Sequence, residues 1–110
     1  WFAHSNEMFE KYDLLVLPST QTWPFEAEKP HPTEIEGIEM DTYHRWMEVV
    51  IPAGLIGLPV LNVPGGFGKN ELPFGLQLIG PRNSDAQLIS IGQAWHEMTN
   101  WPDSCPPVLQ

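Results

Sequence analysis

The chain has 110 residues, the length of one small domain or of a piece of a larger one, and a net charge of −9. This acidic balance argues against nucleic-acid binding, which needs a basic surface, and against docking on anionic membranes. Its apolar runs are too short to span a membrane, so we expect a soluble protein.

The first part of the chain predicts a short amphipathic helix over residues 1–12. The apolar residues near helical spacing are Phe2, Met8, Phe9 and Tyr12. An unbroken apolar run then covers residues 14–17 and is closed by Pro18. Such a run is typical of a buried strand, so the helix is followed by the first strand of a sheet.

Residues 18–40 predict a long acidic loop that contains four prolines and has no sustained apolar period. Six acidic residues fall between Glu26 and Asp41, against one basic residue, Lys29. We expect this loop to be exposed. It is long for a structureless connection inside a compact domain, which indicates either a functional loop or neighbours outside this chain.

The second half predicts two helices and two strands. Asp41 or Thr42 could cap a helix that Pro52 interrupts, and Ser84 or Asp85 could cap the last helix. The predicted elements are a helix over 42–51, a strand over 60–63 that Pro64 ends, a strand over 74–80 and a helix over 86–99. Any short helix that follows Pro52 is ended by Gly57, Leu58 and Pro59. Strands this apolar need layers on both faces, and these helices would cover one face of a wider sheet. We therefore expect a further segment to complete the sheet.

The stretch GLPVLNVPGGFG (57–68) invites comparison with glycine-rich phosphate loops. A P-loop needs Lys followed by Ser or Thr at the start of a helix, but here Lys69 precedes Asn70 and Pro73 blocks a helix. The third glycine of a dinucleotide-binding loop is also absent. We interpret the stretch as a strand and a connection with positive-φ residues, not as a nucleotide site.

The residues alone predict no catalytic centre, metal site or cofactor. His44 and Glu48 have the spacing of two metal ligands on a helix, but no third ligand lies near in the sequence, so a surface contact is favoured. Cys105 lies in an irregular tail without a nearby base, which indicates a passive thiol. As the single cysteine it forms no intrachain disulfide, which fits a reducing, cytoplasmic compartment.

The order of three stretches, YDLLVLPST, GLPVLNVPGGFG and LPFGLQLIGPRNSDAQLISIGQAWHEMTNW, resembles the C-terminal portion of the amidase signature family. Val60 stands where that family usually has Ala, and Glu71 where it usually has Gly. The resemblance implies an α/β fold, part of a mixed-sheet α/β/α sandwich with about three strands and three helices here. It also implies hydrolysis of a carboxamide C–N bond by a Ser–Ser–Lys triad that lies N-terminal to the matched region.

The same resemblance implies substrate-pocket residues on the helix before GLP. Carried onto this sequence they are His44, Met47 and Ile51, with Trp46 beside them. Their i, i+3, i+7 spacing would put the three on one face of an α-helix. An apolar pocket of this kind would favour an aryl or alkyl acyl group. The alternative is that Met47 and Ile51 are plain core residues.

Two functions follow as hypotheses. In the first, the chain is the C-terminal segment of an amidase, needs a missing N-terminal segment or partner chain, and meets a small-molecule amide only in the complete enzyme. In the second, it is a non-catalytic module derived from an amidase fold that binds a partner or forms a homo-oligomer through its exposed sheet.

Overall fold

The computed structural model describes residues 1–68 and 71–103. The helices are α1 (Phe2–Phe9), α2 (Ile51–Leu55) and α3 (Asp85–Thr99), with 3₁₀ helices at Arg45–Val50 and Trp101–Asp103. The strands are β1 (Leu15–Pro18), β2 (Glu34–Ile35), β3 (Ile38–Glu39), β4 (Val60–Phe67) and β5 (Pro73–Ile79). Among the described helices, none has the length and apolar character needed to cross a membrane.

The three predicted strands form one antiparallel sheet in the order β1-β5-β4. Leu17 lies opposite Gln77, which in turn lies opposite Asn62 on the other side of β5. Because side chains alternate between the faces of a strand, these three residues share one face, and the next residue along each strand belongs to the other. Two separate hydrophobic clusters result, one on each face.

Helices cover both faces of this sheet, which confirms the α/β class and gives a three-layer arrangement. On one face, Val63 and Leu78 pack with Leu88 of α3. On the other face, Ile79 packs with Ala53 of α2 and, through Phe9, with α1. The sequence predicted that the helices would cover one face of the sheet only. In the structure each face is partly covered: α3 covers the β4 side of the first face, and α1 and α2 cover the β1 side of the second.

Strand β4 is longer than predicted, because Pro64 does not end it. The strand continues to Phe67 with a bulge between Pro64 and Gly66, whose φ is +140°. The carbonyl of Gly75 accepts a hydrogen bond from the N–H of Ser19 on the β1 side of the strand (3.0 Å). The pair that Gly75 forms with Pro64 on the β4 side is therefore a non-hydrogen-bonded pair. The missing N–H of Pro64 therefore faces away from β5, where an edge strand tolerates it.

The α-helix predicted over 42–51 is wrong in type. A 3₁₀ helix covers Arg45–Val50, and α2 begins at Ile51. Pro52 has no N–H to donate to a preceding carbonyl, so the upstream helix cannot continue through it, whereas the first turn of a new helix accepts a proline. The break separates His44 and Met47 from the helix that contains Ile51.

The acidic segment 18–40 contains a short hairpin. Strands β2 and β3 pair through Ile35 and Ile38, joined by Glu36 and Gly37, which both have positive φ (+49° and +78°). Two consecutive positive-φ residues are typical of the tightest hairpin turns. The segment is exposed for most of its length, as expected, but Pro32 within it is buried.

A buried side-chain amide joins the sheet to the 3₁₀ helix. Gln77, in the central strand, is only 3% exposed. Its Nε2 donates to the carbonyl of Pro18 in β1 (2.9 Å) and to the carbonyl of Val49 in the 3₁₀ helix (3.0 Å). The N–H of Val49 donates to Oε1 of Gln21 (2.9 Å), so two glutamine side chains hold the same residue.

We expect Gln77→Leu to lower the free energy of unfolding by about 2–3 kcal/mol, because it leaves the carbonyls of Pro18 and Val49 without their donor. Urea unfolding followed by circular dichroism measures this. The control is Gln87→Leu on the exposed surface of α3, expected to change stability by less than about 0.5 kcal/mol. Equal losses of stability in the two variants would show that the buried amide of Gln77 does not hold the 3₁₀ helix to the sheet.

Candidate functional site

A cleft lies where β1 ends and β5 begins. The chain leaves β1 at Pro18 and runs across the end of the sheet to Phe25, where the 3₁₀ helix meets it from the same side. The cleft has a volume of about 370 Å³. It is lined by Ser19, Thr20, Thr22, Trp23, Pro24, Phe25, Trp46, Asn62, Pro73, Phe74 and Gly75. We call this the aromatic cleft.

The floor of the aromatic cleft consists of small or polar strand residues. The N–H of Ser19 donates to the carbonyl of Gly75 (3.0 Å), which continues the β1–β5 ladder for one residue. Asn62 on β4 is exposed and lies on the same face of the sheet. A Cβ on Gly75 would lie 2.7 Å from Oγ of Ser19, so the glycine keeps the floor open.

Aromatic side chains form the walls. Trp23 packs edge-to-face on Phe74, with ring centroids 5.6 Å apart and planes at 79°. Phe25 packs in the same way on Trp46, at 5.8 Å and 88°. This geometry is the preferred one for aromatic pairs. Trp23 is nevertheless 54% exposed, so much of its indole faces open space.

A second cleft, of about 510 Å³, adjoins the first. Thr20, Thr22, Trp23, Phe74 and Gly75 line both clefts. The second cleft extends toward the hairpin, where Glu34 and Glu36 line it. The indole of Trp23 therefore stands between two connected hollows, one aromatic and one with an acidic rim.

The two threonines of the clefts serve the local backbone. Oγ1 of Thr20 accepts from the N–H of Thr22 (3.4 Å), and Oγ1 of Thr22 donates to the carbonyl of Trp23 (3.3 Å). Such side-chain bonds stabilise a turn in place of a regular ladder. They fix the path of the chain from β1 to Trp23 and so fix the position of the wall.

Acidic groups surround the clefts. Glu26 lines a third hollow beside Trp23 and pairs with Lys29 at 2.9 Å. The hydrogen bond from Lys29 holds the pKa of the Glu26 carboxyl below its usual value. Both groups are exposed, so this ion pair adds little to stability. Arg45 pairs with Asp41 at 3.1 Å, and Glu34 and Glu36 of the hairpin line the second cleft.

The predicted pocket residues do not share one helix face. His44 is exposed and packs its ring on Tyr43, whereas Met47 and Ile51 are half-buried. His44 and Met47 are three residues apart, one turn at three residues per turn, whereas Ile51 belongs to the separate helix α2. None of the three lines the clefts described above, whereas Trp46, expected beside them, is a cleft wall. Their role in a pocket stays a prediction.

Sequence reasoning missed Trp23 and Phe25. They lie in the segment 18–40, interpreted as a loop, and the signal available was two large aromatic residues around a proline in an otherwise acidic stretch. The described residues bring together no group of three side chains that could hold a metal ion. Glu48 is exposed, and Cys105 lies outside the described residues.

One wall residue of the aromatic cleft, Trp46, has a buried indole N–H. Nε1 of Trp46 is shielded from solvent and has no hydrogen-bond partner within 1–68 and 71–103. An unpaired buried donor costs about 1–3 kcal/mol of stability. In contrast, Nε1 of Trp95 on the opposite face donates to the carbonyl of Pro64 (3.0 Å).

Comparison with known proteins agrees with the fold and with the three motifs. The family model named Amidase matches residues 3–89. One subunit of the glutamyl-tRNA(Gln) amidotransferase of Synechococcus sp. (strain JA-3-3Ab) is 37% identical over 103 residues, which are 93% of this chain and 18% of that protein. The corresponding protein of Nitrosomonas europaea is 32% identical over 99 residues, 90% of this chain and 19% of that protein.

A solved structure shows the same fold. The crystal structure of a bacterial aryl acylamidase of the amidase signature enzymes superimposes with a TM-score of 0.80 and 27% identity. The superposition covers 93% of this chain and 21% of that one. The chain thus spans about a fifth of the length of the proteins that it matches.

We expect Gly75→Ala to lower stability by about 1–3 kcal/mol, because its Cβ would meet Oγ of Ser19 in a packed sheet. Combining it with Ser19→Gly should recover most of that loss. The control, Gly54→Ala in α2, has open space at its Cβ and should be neutral or stabilising by up to about 1 kcal/mol. Urea unfolding of the four proteins checks this, and a loss that Ser19→Gly leaves unchanged would contradict the described floor.

Proposed function

The chain belongs to the amidase family, and from this membership we propose that it forms the C-terminal segment of an amidase. It supplies three strands, two helical layers and part of the substrate pocket. The nucleophile and the base that hydrolyse the carboxamide C–N bond come from a preceding segment or a partner chain. The cytoplasmic location and the homo-oligomer expected from the sequence remain predictions.

The observation that carries this proposal is the incomplete cover of the sheet. Val16 on β1 is 50% exposed and Val60 on β4 is 44% exposed. They lie on opposite faces, Val16 opposite Leu78 and Val60 opposite Ile79. Each marks the part of a face that α1, α2 and α3 leave open. Apolar strand residues of this kind are normally buried under a further layer, which a longer amidase would provide.

The residues that line the clefts also support the proposal that this segment holds the substrate and another segment cleaves it. Hydrolysis of an amide needs an activated nucleophile and donors that stabilise the oxyanion. The clefts offer aromatic surface and hydroxyl groups, and those of Thr20 and Thr22 are engaged with the local backbone. Such surroundings hold and orient a substrate; we infer that bond cleavage depends on residues of the other segment.

A chimera tests the proposal. This chain replaces the structurally equivalent segment of the bacterial aryl acylamidase, and hydrolysis of 4-nitroacetanilide and of glutamine is measured. We expect the chimera to hydrolyse at least one of these amides, because the substituted segment preserves the sheet on which the remaining enzyme packs. The acylamidase without the segment and this chain alone are expected to be inactive.

The control chimera contains Gly54→Ala, whose added methyl group meets no atom of this chain within 4 Å, and its activity should be unchanged. A chimera containing Gln77→Leu should lose activity in proportion to its lost stability. Turnover by this chain alone would refute the proposal. A folded but inactive chimera, together with a stable dimer of the isolated chain, would favour the non-catalytic module.

A further inference from the structure

We propose that the aromatic cleft binds a flat, uncharged aromatic ring that carries an amide. Its use as the aryl subsite of an amide substrate rests on the proposed function, whereas the binding itself does not. The wall residues Trp23 and Phe25 lie outside the three motifs of the sequence, whereas the floor residues Ser19, Asn62 and Gly75 lie within them. The inference comes from the volume, walls, floor and charge of the cleft.

The volume suits a ligand of this size. The aromatic cleft measures about 370 Å³ and opens past Trp23 into the hollow of about 510 Å³. Pockets for small molecules are about 300–1,000 Å³, and a cavity of about 150 Å³ is enough for benzene. A single substituted ring therefore fits in the aromatic cleft and leaves the adjoining hollow for the rest of the molecule.

The walls favour an aromatic ring over an aliphatic group. In each of the pairs Trp23–Phe74 and Phe25–Trp46, one ring edge meets the other ring's face. Trp23 also lies over Gly68, where a Cβ would come within 2.6 Å of the indole. The indole is thus held against backbone on one side and keeps 54% of its surface exposed. An added ring can pack on that surface and extend the edge-to-face array.

The floor supplies room and neutral polar groups for an amide. Gly75 stands in the central strand, where a glycine weakens the sheet and often marks the close approach of a ligand or another backbone. Ser19 and Asn62 flank it on the same face of the cleft. A hydroxyl can donate or accept, and a side-chain amide can do both, so together they match the C=O and N–H of a carboxamide.

The charges around the cleft select against anions. Glu34 and Glu36 line the adjoining hollow, Glu26 lines the third hollow beside Trp23, and the net charge of the chain is −9. The described residues that line the aromatic cleft carry no charge. A benzoate would meet repulsion with no compensating cation among the described residues that line these clefts, whereas a neutral anilide would not. The expected preference is therefore for neutral aryl amides.

The test is a titration of the 110-residue chain with acetanilide, followed by NMR of the tryptophan indole N–H signals. The five indole signals are assigned with Trp23→Phe, Trp46→Phe, Trp95→Phe and Trp101→Phe, and the remaining signal is that of Trp1. We expect acetanilide to shift the signals of Trp23 and Trp46. Trp95 and Trp101 line a separate cleft of about 320 Å³ on the other face, and serve as internal controls whose signals stay in place.

Two further ligands define the specificity. N-cyclohexylacetamide has a similar size but no aromatic ring, and should bind about two- to tenfold more weakly, the range expected for one aromatic pair. Benzoate should bind more weakly still at low salt. Trp23→Ala should abolish the acetanilide shifts at Trp46, whereas Gly54→Ala should leave them unchanged.

The proposal is overturned if acetanilide shifts all five indole signals alike, shifts none of them, or binds no better than N-cyclohexylacetamide. If the NMR spectrum of the isolated chain is not dispersed, the same titration is made on the chimera. In the chimera, Trp23→Ala must then lower kcat/KM for 4-nitroacetanilide more than kcat/KM for N-cyclohexylacetamide. Because binding is read without turnover, an active chimera with no indole shift refutes this inference alone. Specific shifts with an inactive chimera refute the catalytic proposal alone.

Discussion

The carboxamide of Gln77 is the interaction on which the arrangement of this molecule depends. It lies in the central strand and is buried, and the two N–H groups of its one nitrogen reach the carbonyls of both Pro18 and Val49. One bond ties the end of β1 to β5, and the other ties the 3₁₀ helix to the sheet. A buried amide group destabilises the folded state unless it is hydrogen-bonded. The burial of Gln77 therefore favours the arrangement in which β1 and the 3₁₀ helix both present a carbonyl to its nitrogen.

The aromatic cleft follows from that joint. Val49 is held by Gln77 at its carbonyl and by Gln21 at its N–H, which fixes the 3₁₀ helix in position and rotation. Trp46, one turn earlier in the same helix, is thereby placed over the sheet against Phe25. The wall of the cleft is set by hydrogen bonds that lie under it, and not by the aromatic contacts alone. Rigid support of this kind is what a binding surface needs to keep its shape.

The sequence predicts the strands and the long helix well, because unbroken apolar runs and the stripe of α3 report burial directly. Two of its errors fall at prolines. Pro64 looks like the end of a strand, but an edge position needs no N–H there, and edge or centre is a property of the whole sheet. Pro52 marks a break, yet the residues before it do not reveal that their helix is of the 3₁₀ type. The cleft itself could not be predicted, since Trp23, Trp46 and Phe74 meet only through long-range packing.

One of the two open parts of the sheet, the one at Val60, is connected to the cleft through β4. Val60 and Asn62 are two residues apart and therefore lie on the same face of that strand, where Asn62 forms part of the cleft floor. A further layer that buried the exposed side chain of Val60 would extend along β4 to the border of the aromatic cleft. The surface that lacks cover is thus continuous with the surface that offers a ring-binding site.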